Sequence, residues 1–161
     1  IALQRSGCDS NVRILLVGPR ESGKLKIANY LEKTNAQPLK KVANIMYYRR
    51  TILVPDSYLE SPWMHKHVIA LQQTASCGIF LQPVTAKRHS YPPNFAKVFR
   101  IPIYGIVTYH KFYEESALQQ AKAQLLACGL EQVDLVLDLE KEELHQIEQI
   151  ILGRGRENGE F

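Results

Sequence analysis

The chain has 161 residues, a net charge of +4, 45% hydrophobic residues and 22% charged residues. This balance is typical of a globular protein, and the length fits one domain whose core needs no metal or disulfide. The charge surplus is too small for a nucleic-acid-binding stripe, and no apolar run approaches the roughly 18 residues of a membrane span. We therefore expect neither nucleic acid nor a membrane as a partner.

Strand-like and helix-like segments alternate along the chain. The apolar run 12–17 predicts a buried strand, the spacing of apolar residues in 24–33 predicts a helix, and 34–44 has the composition of a loop. Two strand-like runs follow at 45–49 and 51–54. Almost no residues separate them, so they predict an antiparallel pair or a sharp bend. The remaining pattern predicts a helix at 63–75, a strand at 77–84, a short helix at 94–100, a strand at 101–109, a helix at 114–128, a strand at 132–139 and a helix at 141–152.

Repeated alternation of strands and helices predicts an α/β fold of three layers. We expect a mostly parallel sheet of six strands with helices on both faces, formed by residues 12–152 as one domain. Residues 1–11 are predicted to be a disordered or extended arm, and the Gly-rich, polar residues 153–161 a disordered tail.

A phosphate-binding loop follows the first predicted strand. The sequence Gly18-Pro-Arg-Glu-Ser-Gly23-Lys24 fits the pattern GxxxxGK and leads into a predicted helix. Gly18 allows a tight turn out of the strand, Gly23 allows close approach of the backbone to a phosphate, and Lys24 supplies a charge to the outer phosphates. The order of strand, loop and helix predicts a P-loop NTPase of the Ras-like G-domain type. The predicted nucleotide- or phosphate-binding residues are Gly18, Pro19, Arg20, Glu21, Ser22, Gly23, Lys24 and Leu25.

The residue after Lys24 does not suit Mg²⁺. A working P-loop has Ser or Thr at this position, because the hydroxyl binds the metal, whereas this chain has Leu25. Glu21 also places a carboxylate beside the phosphate cradle, which Arg20 offsets in part. We therefore expect ATP or GTP as the candidate ligand, through its phosphates, without a metal site.

From Arg13 to Leu152 the chain resembles the EutP/PduV family of small G-domain proteins, which bacteria encode with ethanolamine and propanediol utilisation systems. Three stretches carry the resemblance. The first is RILLVGPRESGK at 13–24, which is similar to the family's first strand and P-loop. The second is ILVPDSYLE at 52–60, which is similar to the family's I-D-T-P-G-E-Y-x-E. The third is IYGIVT at 103–108, which is similar to the strand before the family's T/S-K-x-D motif.

The resemblance implies that the residues around Mg²⁺ and the outer phosphate have changed. The family's Asp that supports Mg²⁺ falls on Leu53, and the Gly whose N–H senses the γ-phosphate falls on Asp56. The Thr expected near 41–42 is missing. Pro55 and Tyr58, which shape the segment, remain.

The residues that recognise guanine have changed as well. The family's T/S-K-x-D falls on Thr108-Tyr-His-Lys111, so Lys111 stands where an Asp would accept two hydrogen bonds from the base. Lysine is a donor only and cannot do this. Asp138-Leu139 occupies the place of the last base-contacting motif, S-A. Hydrolysis by the usual Mg²⁺-dependent route should therefore be very slow.

Several histidines and cysteines are further candidate site residues. His65 and His67 have a spacing that places them on different helix faces, so we expect surface or capping roles. His89 and His110 follow predicted strands at the ligand-binding edge of the sheet, where a catalytic His110 is an alternative. Cys8, Cys77 and Cys128 are odd in number and widely spaced, which favours free thiols over a disulfide framework or a zinc site.

Further clusters have simple explanations. A basic group around 40–50 is expected to be a solvated face, with an anionic partner or a phosphate held by Arg as the alternative. Tyr47, Tyr48 and Trp63 are expected to pack, with a partner surface as the alternative. Asp134 and Asp138 are not expected to form a catalytic pair. The basic group is Lys40, Lys41, Arg49 and Arg50.

Two functions remain open from the sequence. The favoured one is a cytoplasmic binding or scaffolding protein, a degenerate G domain in or beside a bacterial microcompartment, with microcompartment or pathway proteins as partners and no catalytic residues. The alternative is an ATP- or GTP-dependent phosphotransferase or NTPase, such as a small-carboxylate kinase or a GTPase, in the same pathway.

Overall fold

The computed structural model describes residues 13–33, 37–86, 89–141 and 143–159, with side chains up to 152. Its strands are β1 (Arg13–Val17), β2 (Lys40–Val42), β3 (Ile45–Tyr47), β4 (Thr51–Leu53), β5 (Ala75–Pro83), β6 (Ile103–Tyr109) and β7 (Leu135–Asp138). Its α-helices are α1 (Lys24–Glu32), α2 (Ser57–Glu60), α3 (His65–Ala70), α4 (Glu115–Ala127) and α5 (His145–Gly159). Short 3₁₀ turns lie at Pro62–Met64, Leu71–Thr74 and Phe95–Val98.

All seven strands belong to one sheet, in the order β2-β3-β4-β1-β5-β6-β7. The five strands from β4 to β7 in this order are parallel to their neighbours, and β3 is antiparallel to both β2 and β4. The predicted α/β fold and antiparallel pair are confirmed, but the predicted count of six strands is one short.

The additional strand is β2, in a segment that the sequence predicts as loop. It pairs with β3 through a tight turn in which Ala43 and Asn44 both have positive φ, 50° and 68°. Two consecutive left-handed residues are typical of a two-residue hairpin turn. All three residues of β2 are exposed, so the strand has no buried face to give it an alternating pattern.

Helices cover both faces of the sheet, as the sequence predicts. On one face, Ile27 and Leu31 of α1 pack with Ile147 and Ile151 of α5 against the strands. On the other face, residues of α2, α3 and α4 pack around Phe80 of the central strand β5. The helix predicted at 63–75 is broken into two 3₁₀ turns around α3, and α5 continues past the predicted end at Gly153 to Gly159.

The parallel arrangement brings several strand ends to one edge of the sheet. Leu16 of β1 pairs with Leu53 of β4, so the loop after β1 lies beside the segment after β4. Tyr109 of β6 pairs with Asp138 of β7, so the loops after these strands also meet. Ligands of parallel α/β sheets bind at this edge, and the predicted phosphate loop lies there.

Candidate functional site

The phosphate loop runs from the end of β1 to the start of α1. Glu21 has φ 64° and Gly23 has φ 90°, so two left-handed residues curl the backbone between strand and helix. Such a curl turns successive N–H groups toward one concave side, which is how P-loops receive an anion. The loop is anchored from behind, because Thr108 Oγ1 donates to the Ser22 carbonyl at 3.0 Å.

Gly18 is required by close packing at the start of the loop. A Cβ on Gly18 would lie 2.6 Å from Ser22 Oγ and 3.0 Å from Leu81 Cβ, which is too close for any side chain. The structure thus gives Gly18 a packing reason in addition to the turn that the GxxxxGK pattern predicts, whereas the predicted approach of Gly23 to a phosphate stays a prediction.

A cleft of about 540 Å³ lies in front of this loop. Six of the eight predicted phosphate-binding residues line it, and Lys41, Met46, Leu53 and Asp56 contribute from the neighbouring strands. The six are Pro19, Glu21, Ser22, Gly23, Lys24 and Leu25. Arg20 instead faces a second cavity shared with Asp56 and His89.

Lys24 makes three hydrogen bonds within the protein. Its Nζ donates to the Gly18 carbonyl at 2.7 Å, to the Val54 carbonyl at 2.8 Å and to Asp56 Oδ1 at 2.6 Å. The side chain is only 10% exposed. Burial lowers the pKa of Lys24 from its usual value, and the hydrogen bond and charge of Asp56 oppose this shift. The ammonium thus joins the phosphate loop to the segment after β4.

The residues at the Mg²⁺ positions do not fit the metal. Leu25 follows Lys24 and is 54% exposed in the cleft, whereas Leu53 is buried in the core under α1. Neither side chain carries an oxygen, and Mg²⁺ requires oxygen ligands. Among the described residues, no three His, Cys, Asp or Glu side chains lie close enough together to hold a metal ion.

Asp138 organises the two loops where a base would be recognised. Its Oδ1 accepts from the N–H of Lys111 at 3.0 Å and from the N–H of Glu140 at 2.9 Å. Burial by itself raises the pKa of Asp138, but these two hydrogen bonds and the nearby charges of Lys141 and His110 together outweigh it, so the pKa is lowered. Lys111 has φ 65°, and its exposed side chain offers no acceptor to guanine.

Leu139 is turned into the protein beside the phosphate loop. It is 1% exposed, and its methyl groups fill the space where a Cβ on Gly23 would stand. Its carbonyl accepts a hydrogen bond from Lys26 Nζ. The residue at the predicted S-A position therefore packs under the loop.

The phosphate loop lies between β1 and α1 of a mostly parallel sheet that helices cover on both faces. This arrangement defines the chain as a small GTPase-like P-loop protein. The family model PduV-EutP, described as "Ethanolamine utilisation - propanediol utilisation", matches residues 11–152. The chain belongs to this family, and the resemblance seen in its motifs is confirmed.

Among solved structures, the chain is similar to a crystal structure of a variant of Aquifex aeolicus Era bound to GDP and AlF4⁻. The TM-score is 0.51 and the sequence identity 12%, and the match covers 89% of this chain. The chain spans 56% of the length of that Era chain. At this identity the likeness shows the fold alone. No curated protein matches this sequence.

The other predicted side chains have mixed outcomes. His65 Nε2 lies 2.9 Å from the Leu59 carbonyl and His110 Nδ1 lies 3.1 Å from Glu140 Oε1, so both have partners outside the cleft. Asp134 lies just before β7 and accepts a hydrogen bond from the N–H of Gly105. Asp138 lies at the opposite end of β7, so the two carboxylates do not form a pair. Lys41 of the basic group lines the cleft.

Two expectations are wrong. Trp63 is 72% exposed and does not pack, although Tyr48 does. Cys77 is disulfide-bonded, whereas Cys128 is a free, buried thiol as predicted. Cys8 lies outside the described residues.

No helix in the described part of the chain is both long enough and apolar enough to span a bilayer.

Sequence reasoning noticed Asp56 only as a departure from the family pattern and missed its bond to Lys24. The contact depends on β1 and β4 being parallel neighbours, because the carboxyl ends of the two strands then meet. A carboxylate just after one strand and a lysine just after the other would then be close. The sequence pattern did not give that pairing of strands.

Proposed function

We propose that this chain is a degenerate GTPase-like protein that acts by binding rather than by catalysis. It has a binding or scaffolding role in ethanolamine or propanediol utilisation. It acts in the cytoplasm, in or beside a bacterial microcompartment. Nucleotide hydrolysis is weak or absent. Partners are microcompartment or pathway proteins, and a nucleotide is at most a weakly held ligand.

The observation that carries this proposal is leucine at both positions that serve Mg²⁺. Leu25 presents an apolar side chain to the cleft next to Lys24, and Leu53 is part of the core. In phosphoryl transfer the metal neutralises the charge that develops on the phosphate oxygens. A site that cannot hold the metal loses that contribution, while the backbone cradle can still attract an anion.

Loss of guanine recognition supports the same proposal. The Lys111 side chain is exposed and has no acceptor, and the Asp138 carboxylate is engaged with two backbone N–H groups. Leu139 is buried under the loop. The Lys111 backbone N–H, the Asp138 carboxylate and the Leu139 side chain are thus engaged in contacts within the protein, which favours low selectivity among bases.

Exposed aromatic residues favour a binding role. Phe112 follows β6 at the ligand edge and is 81% exposed, and Trp63 between α2 and α3 is 72% exposed. Large aromatic side chains are enriched in protein–protein interfaces and among the residues that contribute most to binding.

Calorimetric titration of the full chain with GTP, GDP, ATP and ADP, each with and without Mg²⁺, tests the proposal. We expect weak binding or none, with any affinity independent of Mg²⁺ and similar for guanine and adenine. Tight binding of GTP that requires Mg²⁺ would contradict the proposal, because it would demand a metal site that these residues cannot form.

The role of the loop is tested by Lys24→Ala, with Lys66→Ala as the matched control. Lys66 is exposed on α3, away from the cleft, so the two variants lose the same charge. Any nucleotide affinity of the wild type should disappear in Lys24→Ala and persist in Lys66→Ala. Equal affinities in both variants would show that the ligand does not use the loop.

A further inference from the structure

Lys24 has no hydrogen left with which to bind a phosphate. A lysine ammonium has three N–H donors, and the hydrogen bonds to Gly18, Val54 and Asp56 use all three. Two of the acceptors are neutral carbonyls, and the third is a carboxylate. In a P-loop the charged acceptor of this lysine is an outer phosphate. Here the charged acceptor belongs to the protein itself.

Asp56 reaches Lys24 from a well-supported position. It follows β4 at the ligand edge, with φ −55° and ψ −38°, and its carbonyl accepts from Leu59 N at 3.0 Å at the start of α2. Its Oδ1 is the atom bonded to Lys24, and its Oδ2 lies 3.8 Å from Nε of Arg20. The carboxylate is 32% exposed and lines the cleft, so it stands between the buried ammonium of Lys24 and the solvent, whereas the Arg20 side chain is itself exposed.

The segment that carries Asp56 is held on both sides. Val54 N donates to the Leu16 carbonyl at 3.2 Å, which continues the pairing of β4 with β1. Tyr58, which is 3% exposed, donates from its hydroxyl to the Ala43 carbonyl in the β2–β3 turn. The backbone on either side of Asp56 is thus fixed, and the carboxylate is presented to Lys24 without help from a ligand.

We infer that Asp56 acts as an internal stand-in for an outer phosphate and closes the phosphate loop to external anions. The inference rests on the proposed function, because it takes the loop to be an anion cradle without Mg²⁺. An incoming phosphate has to displace the charged hydrogen bond between Asp56 and Lys24 and meets the negative charge of Asp56 in the cleft. Removal of that carboxylate frees one donor of Lys24 and opens the cradle.

The test compares Asp56→Asn with Glu60→Gln. Both variants remove one negative charge near Lys24, but Glu60 is exposed and influences Lys24 through its charge alone. Orthophosphate and pyrophosphate, without Mg²⁺, are titrated into each full-length variant and the wild type by calorimetry and ³¹P NMR. We expect Asp56→Asn to bind at least about tenfold more tightly than wild type, the scale of one charge-assisted hydrogen bond. Glu60→Gln should differ from wild type by less than about threefold.

Two further variants make the outcome decisive. Lys24→Ala combined with Asp56→Asn should lose the gain, since the freed donor is then missing. Asp56→Gly replaces Asp56→Asn if the amide itself bonds to Lys24, and circular dichroism checks that each variant is folded. Equal anion affinities in wild type, Asp56→Asn and Asp56→Gly would overturn the inference, as would a gain of the same size in Glu60→Gln.

The failure of this inference is distinct from that of the proposed function. The inference concerns the affinity of the variants for metal-free anions relative to wild type. The proposed function concerns the Mg²⁺ dependence of GTP binding by the wild type. The wild type could bind neither metal-free anions nor GTP with Mg²⁺, and the variants could gain no affinity for anions. That result would exclude the role of Asp56 and would leave the proposed function in place.

Discussion

Leu139 packs against Gly23 where the phosphate loop enters α1. A Cβ on Gly23 would lie 2.8 Å from Cδ1 of Leu139, and Gly23 has φ 90°. Glycine is therefore needed at this position both for its backbone conformation and for its contact with the protein's own core. The family resemblance places a base-contacting motif at 138–139, and in this chain that position supports the loop from below.

The first prediction is that Gly23→Ala destabilises the protein by about 2–5 kcal/mol. Left-handed φ costs an alanine about 1–2 kcal/mol, and overpacking against Leu139 adds about 1–3 kcal/mol. Urea unfolding of the variant measures the loss.

A double-mutant cycle with Leu139→Ala separates these two causes. Removing the leucine side chain relieves the overpacking but leaves the backbone strain, so the two changes together should cost less than the sum of each alone. Strict additivity would mean that Gly23 and Leu139 are not in contact.

The second prediction concerns Leu25→Ser, which restores the hydroxyl that a working P-loop has. Leu25 is 54% exposed, so the free energy of unfolding should change by no more than about 0.5 kcal/mol. Because Leu53 remains in the core without an oxygen, we expect no Mg²⁺ dependence of nucleotide affinity in this variant.

Titration of Leu25→Ser with GTP at several Mg²⁺ concentrations checks this result. An affinity that rises with Mg²⁺ would show that one hydroxyl is enough to rebuild the metal site. The account of two damaged positions would then be wrong.

The sequence predicts the layers of this fold because long apolar runs identify the central strands. The run that becomes β5 is buried along almost its whole length, and the run that becomes β1 leads directly to the phosphate loop. It does not predict β2, since an exposed edge strand of three residues has no burial pattern and depends on a turn with two left-handed residues, Ala43 and Asn44.

The predicted site was incomplete for a similar reason. The loop itself is a local motif, so its residues could be found from spacing alone. The bond between Lys24 and Asp56 joins two strands' ends that are 32 residues apart, and it depends on which strands are neighbours. The packing of Leu139 on Gly23 is likewise a tertiary contact, which no local pattern encodes.

The third prediction is a pH dependence due to Cys128. Burial raises the pKa of this thiol from its usual 9.0 to about 12. Between these values the thiol is protonated in the folded state and ionised in the unfolded state. The stability it contributes is therefore complete below pH 9 and is lost as the pH rises toward 12.

Cys128→Ala removes this dependence. Between pH 8 and 10 the wild type should lose about 1.4 kcal/mol more of its unfolding free energy than the variant, since each pH unit within the window corresponds to that amount. Urea unfolding at the two pH values measures the difference. Parallel losses in both proteins would show that Cys128 is accessible or already ionised.

The fourth prediction concerns the hydrogen bond between Tyr58 and the Ala43 carbonyl. Tyr58→Phe keeps the buried ring and removes only the hydroxyl, so the protein should lose about 1 kcal/mol of stability. Because the bond joins α2 to the β2–β3 turn, amide hydrogen exchange should speed up in residues 40–47.

Tyr30→Phe is the control for this change, because the Tyr30 hydroxyl has no hydrogen bond among the described residues. It should leave both stability and hydrogen exchange in the turn nearly unchanged. Similar exchange rates for Tyr58→Phe and Tyr30→Phe would mean that the turn is held by β2–β3 pairing alone.

The central claim is that the loop Gly18–Lys24 is preserved as structure without the metal chemistry of a GTPase. The most direct test is the ratio of GTP affinities measured by calorimetry with and without Mg²⁺. With Leu25 and Leu53 at the metal positions, we predict a ratio near one and weak binding or none in both conditions. Tight GTP binding that is lost when Mg²⁺ is removed would contradict the claim.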